Sequence, residues 1–298
     1  MTPQPFFFRA GLVLLNVLII AVAENATAQN RDPASLQGLR VALDVGHSLQ
    51  NQGAGSARGI GEFHFNQATA RVVREVLTSA GAHVLMINED GDLPDLLRRT
   101  DLALEEKCDV FLSIHHDSCH QKYKQKWLVD GAPQEYADQF SGFGVFCSQK
   151  HPLAQVSRQY ATILGQAMLA AGFHPALHHH EAIEGENRPF IDEAAGVYEY
   201  SDLIVVKRTA MPAALLECGV IVNRDEELRV KTRDYQEQIA KAVAQAFAEC
   251  LRQGVLKPGT GAHLSPNPGG SGAPVAPTSA QEDKKGLLRR LFDRPQKN

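Results

Sequence analysis

The 298-residue sequence predicts an α/β fold, a single-domain, mostly parallel twisted sheet covered by helices on both faces. Three observations carry that expectation. From Arg40 onward short apolar runs alternate with longer amphipathic ones, the rhythm of strands and crossover helices. The run at 109–114 is apolar without polar alternation, which suits a strand buried on both faces at the sheet centre. Residues able to hold a metal or move a proton fall at or just after the carboxyl ends of expected strands, where open α/β sheets place their ligands.

Taken in order, the first strand is expected at 40–44, followed by a Gly- and Ser-rich loop at 46–61 and a helix at 62–79 closed by Gly81. A second strand is expected at 83–87. Leu93, Leu96, Leu97, Leu102 and Leu104 recur at helical spacing, so 93–107 reads as a helix leading to the central strand. Residues 144–147 read as a further strand and 153–171 as a helix closed by Gly172. The segment 173–201 is dense in histidine and glutamate and has little periodicity; it reads as an inserted loop or a short regulatory helix rather than a core element. Strands are expected again at 203–206 and 213–217. Asp225 is expected to cap a long final helix at 226–253, with an apolar stripe through Ile239, Ala242, Val243, Ala246 and Leu251.

Composition bounds the appendages. With 44% hydrophobic and 21% charged residues, the chain suits one globular domain of about 200 residues with flanking segments. A net charge of -4 and the lack of a lysine-rich run interleaved with aromatics exclude nucleic acid as an expected partner. At the N-terminus Arg9, the apolar run at 11–23 and Ala26-Thr27-Ala28 predict a signal peptide over 1–28, hence export to the periplasm. A short segment at 29–38 precedes the domain. Beyond it, 257–281 is Pro-, Gly- and Ser-rich and reads as a linker, and 282–298 as a basic amphipathic tail suited to contact with an anionic membrane. The cysteines, at 108, 119, 147, 218 and 250, are odd in number and form no C-x-x-C pair, so neither a disulfide framework nor a thiolate zinc site is indicated.

Four short stretches carry chemistry: Asp44-Val45-Gly46-His47, Gly61-Glu62, Ser113-Ile114-His115-His116-Asp117 and Leu215-Leu216-Glu217-Cys218-Gly219. His47 and His115 leave strand ends into one crevice, and Glu62 at the start of a helix can point back into it. Two imidazoles, one carboxylate and an open fourth position make a catalytic zinc pattern. Strand alternation sends His115 and His116 to opposite sides. Asp44 either orients a ligating imidazole through its second nitrogen or caps strand-end backbone groups. Glycines 46, 53, 55, 59 and 61 give the loop its freedom and are not a phosphate cradle, since no G-K-[ST] follows.

The order D-x-G-H, then Glu, then S-I-H, then L-x-E-x-G-x-x-x-N resembles the type-3 family of N-acetylmuramoyl-L-alanine amidases, over about 39–251 of an expected 39–256 domain. The resemblance implies one Zn2+ held by His47, Glu62 and His115, with Glu217 as the catalytic glutamate and Asn223 and Arg99 in structural roles. It also implies peptidoglycan as partner, with hydrolysis of the amide joining N-acetylmuramic acid to L-alanine in the cell wall. Val45 stands where the family has Pro, and His116-Asp117 replace a small residue and Asn. The stretch His178-His179-His180-Glu181-Ala182-Ile183-Glu184-Gly185-Glu186 sits where relatives carry a segment that blocks the site until a protein activator displaces it. Either of the adjacent His115 and His116 could bind, and S-I-H favours His115; His116, Glu181, Glu184 and Glu186 are supporting or regulatory candidates, with one insert residue occupying the metal in a resting state. Two rival readings are a zinc carboxypeptidase and a non-catalytic peptidoglycan-binding module. Glu217 argues against the second, which has no use for a base.

Overall fold

The structure, a computed structural model, describes residues 35–263. The expected signal peptide and basic tail lie outside those residues. A seven-stranded sheet is built from β1 (Arg40–Val45), β2 (His83–Ile87), β3 (Val110–Asp117), β6 (Gly144–Cys147), β7 (Phe190–Asp192), β8 (Val197–Glu199) and β9 (Ala213–Val220), in the order β2-β1-β3-β9-β6-β8-β7. The first four strands in that order are mutually parallel. β6 runs antiparallel to β9, β8 parallel to β6, and β7 antiparallel to β8.

The helices are α1 (Glu62–Ser79), α2 (Leu96–Glu105), α3 (Ala154–Ala170), α4 (Ile204–Arg208), α5 (Arg224–Val230) and α6 (Arg233–Arg252). The chain steps from β1 to β2 in one direction and then back across β1 to β3. Right-handed crossovers therefore put α1 and α2 on opposite faces. α6 packs between α1 and α3, while α4 packs on α2. Val110, Phe111, Leu112 and Ile114 of β3 are fully buried between these layers, which is why the strand shows no polar alternation.

Several expected boundaries need correction. The final helix is two: Asn223, not Asp225, caps α5 by accepting from the Asp225 and Glu226 amides (3.0 and 2.9 Å), and Thr232 caps α6 by accepting from the Tyr235 amide. Residues 203–206 are not a strand but open α4, with Val205 and Val206 buried; so short an apolar run has no period to distinguish the two. α2 starts at Leu96 because Pro94 disfavours a helical residue before it and Asp95 then caps the helix. The segment 173–201 is not wholly outside the core. Its β8 extends the sheet through Val197 and Tyr198, both fully buried, and is too short to announce itself by alternation.

A hairpin of β4 (Gln125–Val129) and β5 (Ala132–Tyr136) is an element with no counterpart in the sequence reading. Its turn residues Asp130 and Gly131 both have positive φ, 50° and 80°, the pairing that a two-residue hairpin turn demands. The Trp127 indole N–H donates to the Ala57 carbonyl at 2.7 Å, docking the hairpin on the glycine-rich loop. The linker also begins later than expected: the Gly261 amide donates to Asp109 Oδ1 at 3.0 Å, which fastens 257–263 to the domain. All five cysteines are free thiols and buried.

Candidate metal centre and active site

β1, β3 and β9 end on the same edge of the sheet, and the chemistry gathers there. At the end of β1 the backbone turns sharply, and His47 adopts φ +64°, a conformation that costs a non-glycine residue about 1 kcal/mol or more. Arg99, itself buried, holds it. Its guanidinium donates to Asp44 Oδ1 (3.2 Å), to the Val45 carbonyl (2.9 Å) and to the His47 carbonyl, and its Nε to the Leu93 carbonyl (2.8 Å). The Asn88 amide donates to the same Val45 and His47 carbonyls at 2.8 and 2.7 Å. Asp44 thus serves Arg99 and accepts from the Ser113 hydroxyl at 2.6 Å; its carboxylate meets side chains, neither a ligand imidazole nor strand-end backbone groups, correcting both roles expected for it.

His47, Glu62 and His115 converge as expected. His47 Nε2 lies 2.9 Å from Glu62 Oε2, and His115 Nδ1 lies 2.9 Å from Glu62 Oε1. The two rings meet edge-on with centroids 4.9 Å apart. Backbone must pass close behind them: a Cβ on Gly46 would sit 2.3 Å from His115 Nε2, and one on Gly53 2.4 Å from Glu62 Oε2. Both positions therefore need glycine for space, beyond the loop freedom read from sequence. Glu62 is buried, which opposes its charge, yet the hydrogen bonds and charges of His115 and His47 outweigh burial and hold the carboxyl well below the usual range. Its oxygens also accept from the Ala54 amide (3.1 Å), the Asn66 side chain (3.1 Å) and the His116 amide (3.3 Å), which fixes its orientation.

This donor set fits zinc. Tetrahedral ligation with bonds of about 2.1 Å sets ligand atoms about 3.4 Å apart. The 2.9 Å contacts fall close to that spacing, and the three ligand atoms all lie within 4.8 Å of one another.

His116 points the other way. Its Nδ1 pairs with Asn66 Oδ1 at 2.9 Å and its Nε2 faces the Thr69 hydroxyl, and burial pushes its pKa down to about 3, so the ring is neutral. It supports Glu62 through Asn66 and competes for no metal. Asn66, one helical turn after Glu62 on α1, is a functional residue that the sequence reading passed over. The i, i+4 spacing to Glu62 was the available signal.

Glu217 is the strand neighbour of His115: the two are paired across β3 and β9, so their side chains leave the same face of the sheet. Glu217 is half-buried, and its Oε2 is a buried atom with no hydrogen-bond partner. Burial, then the charges of Asp117 and Glu62, raise its pKa well above 4.5. Asn223 donates to the Asp138 and Phe140 carbonyls, both at 2.9 Å, besides capping α5, and so pins the loop after Glu217. Asn223 and Arg99 are both structural.

In the segment 173–201, the Tyr123 hydroxyl donates to Glu181, Glu186 pairs with His179 Nδ1 at 2.8 Å, and Glu184 is exposed. None of these carboxylates joins the His47, Glu62 and His115 group. A cavity of about 230 Å³ separates the insert from the sheet, lined by Phe146, His179, Arg188, Tyr200 and Glu217 among others.

An open α/β sheet with two imidazoles, a carboxylate and a glutamate whose buried Oε2 has no partner at its strand ends is the architecture of a metal-assisted hydrolase. The family model described as N-acetylmuramoyl-L-alanine amidase, Amidase_3, matches residues 41–249. The chain therefore belongs to the Amidase_3 family, whose members hydrolyse an amide bond. Among curated relatives, it is 26% identical over 210 residues to an endolysin of Bacillus phage SPP1, covering 70% of this chain and 65% of that protein. It is 25% identical over 222 residues to the N-acetylmuramoyl-L-alanine amidase AmiA of Escherichia coli, covering 69% of this chain and 73% of that one. Among solved structures, the amidase Ami1 of Mycobacterium smegmatis superposes with a TM-score of 0.58 at 21% identity, over 74% of this chain and 99% of the other, which shows the fold.

Proposed function

We propose that this chain cleaves the amide between N-acetylmuramic acid and L-alanine in peptidoglycan, with one Zn2+ held by His47, Glu62 and His115 and with Glu217 as proton acceptor. The observation that carries the reading is the meeting of both imidazoles with the Glu62 carboxylate at 2.9 Å, beside Glu217, whose buried Oε2 has no partner. Zinc held there supplies Lewis-acid chemistry, polarising an amide carbonyl and making nearby water more acidic. The protein does the rest. Glu217 Oε2, with no partner of its own, is free to take the proton of an attacking water and pass it to the leaving amine nitrogen. Arg99 and Asn88 hold the His47 turn, and Asn66 and the Ala54 amide hold Glu62, so the donors are placed before substrate arrives.

Kinship with cell-wall amidases such as AmiA supports an extracytoplasmic site of action, for which the segment 1–28 would be the export signal and the periplasm the compartment. The tail 282–298 is proposed to touch the membrane. A protein activator is proposed as well; a chain of the same fold, the CwlD amidase from Clostridioides difficile, is solved in complex with the GerS lipoprotein. The insert carrying Glu181, Glu184 and Glu186 is the segment such a partner would move.

The test is digestion of purified peptidoglycan by the zinc-loaded protein and by Glu217→Gln, with product masses recorded. Stem peptides that begin at L-alanine are expected from the first and not the second. Loss of only a C-terminal residue would instead mark a carboxypeptidase, and no product at all would leave a binding module.

A further inference from the structure

We propose that Asp117, His178 and His179 form a second cation site, suited to a divalent metal of the zinc type, against Glu217. Asp117 lies two residues beyond His115 on β3, across a bulge in the pairing with β9, and the insert brings two imidazoles onto it. Asp117 Oδ2 is 2.7 Å from His179 Nε2 and 3.2 Å from His178 Nε2, and the latter nitrogen also donates to the Ser118 carbonyl at 2.9 Å, a bond that an ion would replace. These spacings match those of the His47, Glu62 and His115 group, and the ligand atoms again lie within 4.8 Å of one another. Two imidazoles and one carboxylate are borderline donors that select zinc-like ions over magnesium or calcium.

Two further observations point to a ligand. The far nitrogen of His179, Nδ1, lies 2.8 Å from Glu186 Oε2. A carboxylate behind an imidazole keeps Nδ1–H donating backwards, the usual support of a metal-bound histidine; without an ion Nε2–H also donates to Asp117, and an ion would take the place of that hydrogen. Beside this cluster the Glu217 oxygen Oε2 is buried without a partner, and so is His178 Nδ1. Among the described residues no lysine or arginine forms an ion pair with Asp117, whose carboxylate meets the two imidazoles and the Ser118 amide. Buried carboxylates are stabilised by paired cations or metals.

The ligands are distinct from those of the proposed catalytic zinc, so the two readings fail separately. The full chain is stripped with a chelator, equilibrated by dialysis against Zn2+, and its metal counted per chain, with circular dichroism confirming the fold. Two ions are expected in the wild type, one in His47→Ala, and one in each of His179→Ala and Asp117→Asn. A single ion in the wild type, lost in His47→Ala and retained in both others, overturns the proposal. Two ions in the wild type and in every second-site variant overturn it equally, as adventitious binding to surface histidines. A single ion lost with His179→Ala and Asp117→Asn but kept by His47→Ala supports this site and removes the ligand set given under Proposed function.

Discussion

Replacing Arg99 by Met tests the physical account of how the His47 turn is held. The substitution keeps much of the side-chain length but removes a buried guanidinium that is paired with buried Asp44 and donates to three carbonyls. Two of those carbonyls keep a second donor in Asn88, so the dominant loss is the uncompensated Asp44 charge. Breaking a buried pair from one side costs about 3–5 kcal/mol. In a domain of this size each kcal/mol lowers Tm by about 2–4 °C, which gives a fall of roughly 6–20 °C. Chemical denaturation of the metal-free protein, Arg99→Met, Asp44→Asn and the double variant measures the coupling. The double variant is expected to recover about 0.5–3 kcal/mol relative to the sum of the singles, because neither charge is then stranded. Zinc affinity of Arg99→Met is expected to fall as well, since the His47 carbonyl loses one of its two donors. An Arg99→Met protein within about 1 kcal/mol of the wild type, or strict additivity in the double variant, would refute the reasoning.

Glu217→Gln is expected to lower amidase turnover by about 10²–10⁴ while leaving zinc content unchanged, read by product release and metal analysis. In the metal-free protein the same variant changes the pH dependence of stability. Because burial raises the Glu217 pKa in the folded state above 4.5, its contribution is full below that value and is lost as pH rises. Melting curves of wild type and Glu217→Gln should therefore coincide near pH 4 and separate at neutral pH with the variant more stable. Gly46→Ala places a Cβ 2.3 Å from His115 Nε2, so the ring must move by about an ångström to reach ordinary contact. The expected result is weakened zinc binding, by titration, in a protein that stays folded. His116, whose folded pKa is lowered to about 3 from 6.5, makes the domain acid-labile: stability falls between those values as pH drops, by at most about 1.4 kcal/mol per pH unit. His116→Asn should flatten that slope in urea titrations.

How much of this was readable beforehand varies with physical cause. Glu62–Ser79 is bounded as the sequence reads, because eighteen residues of helical period and a glycine stop are local signals. The hairpin was legible in Asp130-Gly131 flanked by Trp127, Leu128 and Val129, but it needed attention to turn chemistry rather than to period. β8 and α4 were not legible, since three or five residues contain no full period of either structure. Asp44 shows the limit of motif reading. Its place two residues before Gly46-His47 is compatible with service to an imidazole, but the partner it finds, Arg99, is brought to it by α2 from the opposite face of the sheet.

The sequence by itself determined the α/β class and the strand-end placement of His47, His115 and Glu217, because strand period and order along the chain fix which residues reach one edge and one face; the choice of His115 over His116 came from the S-I-H resemblance. Only the tertiary structure decided what those residues meet. Asn66 reached His116 and Glu62, Asp117 received His178 and His179 from the insert, and the buried Glu217 Oε2 was left without a partner. These are contacts between residues up to 62 apart in the chain. Their distances and burial come from packing, and no local pattern encodes them.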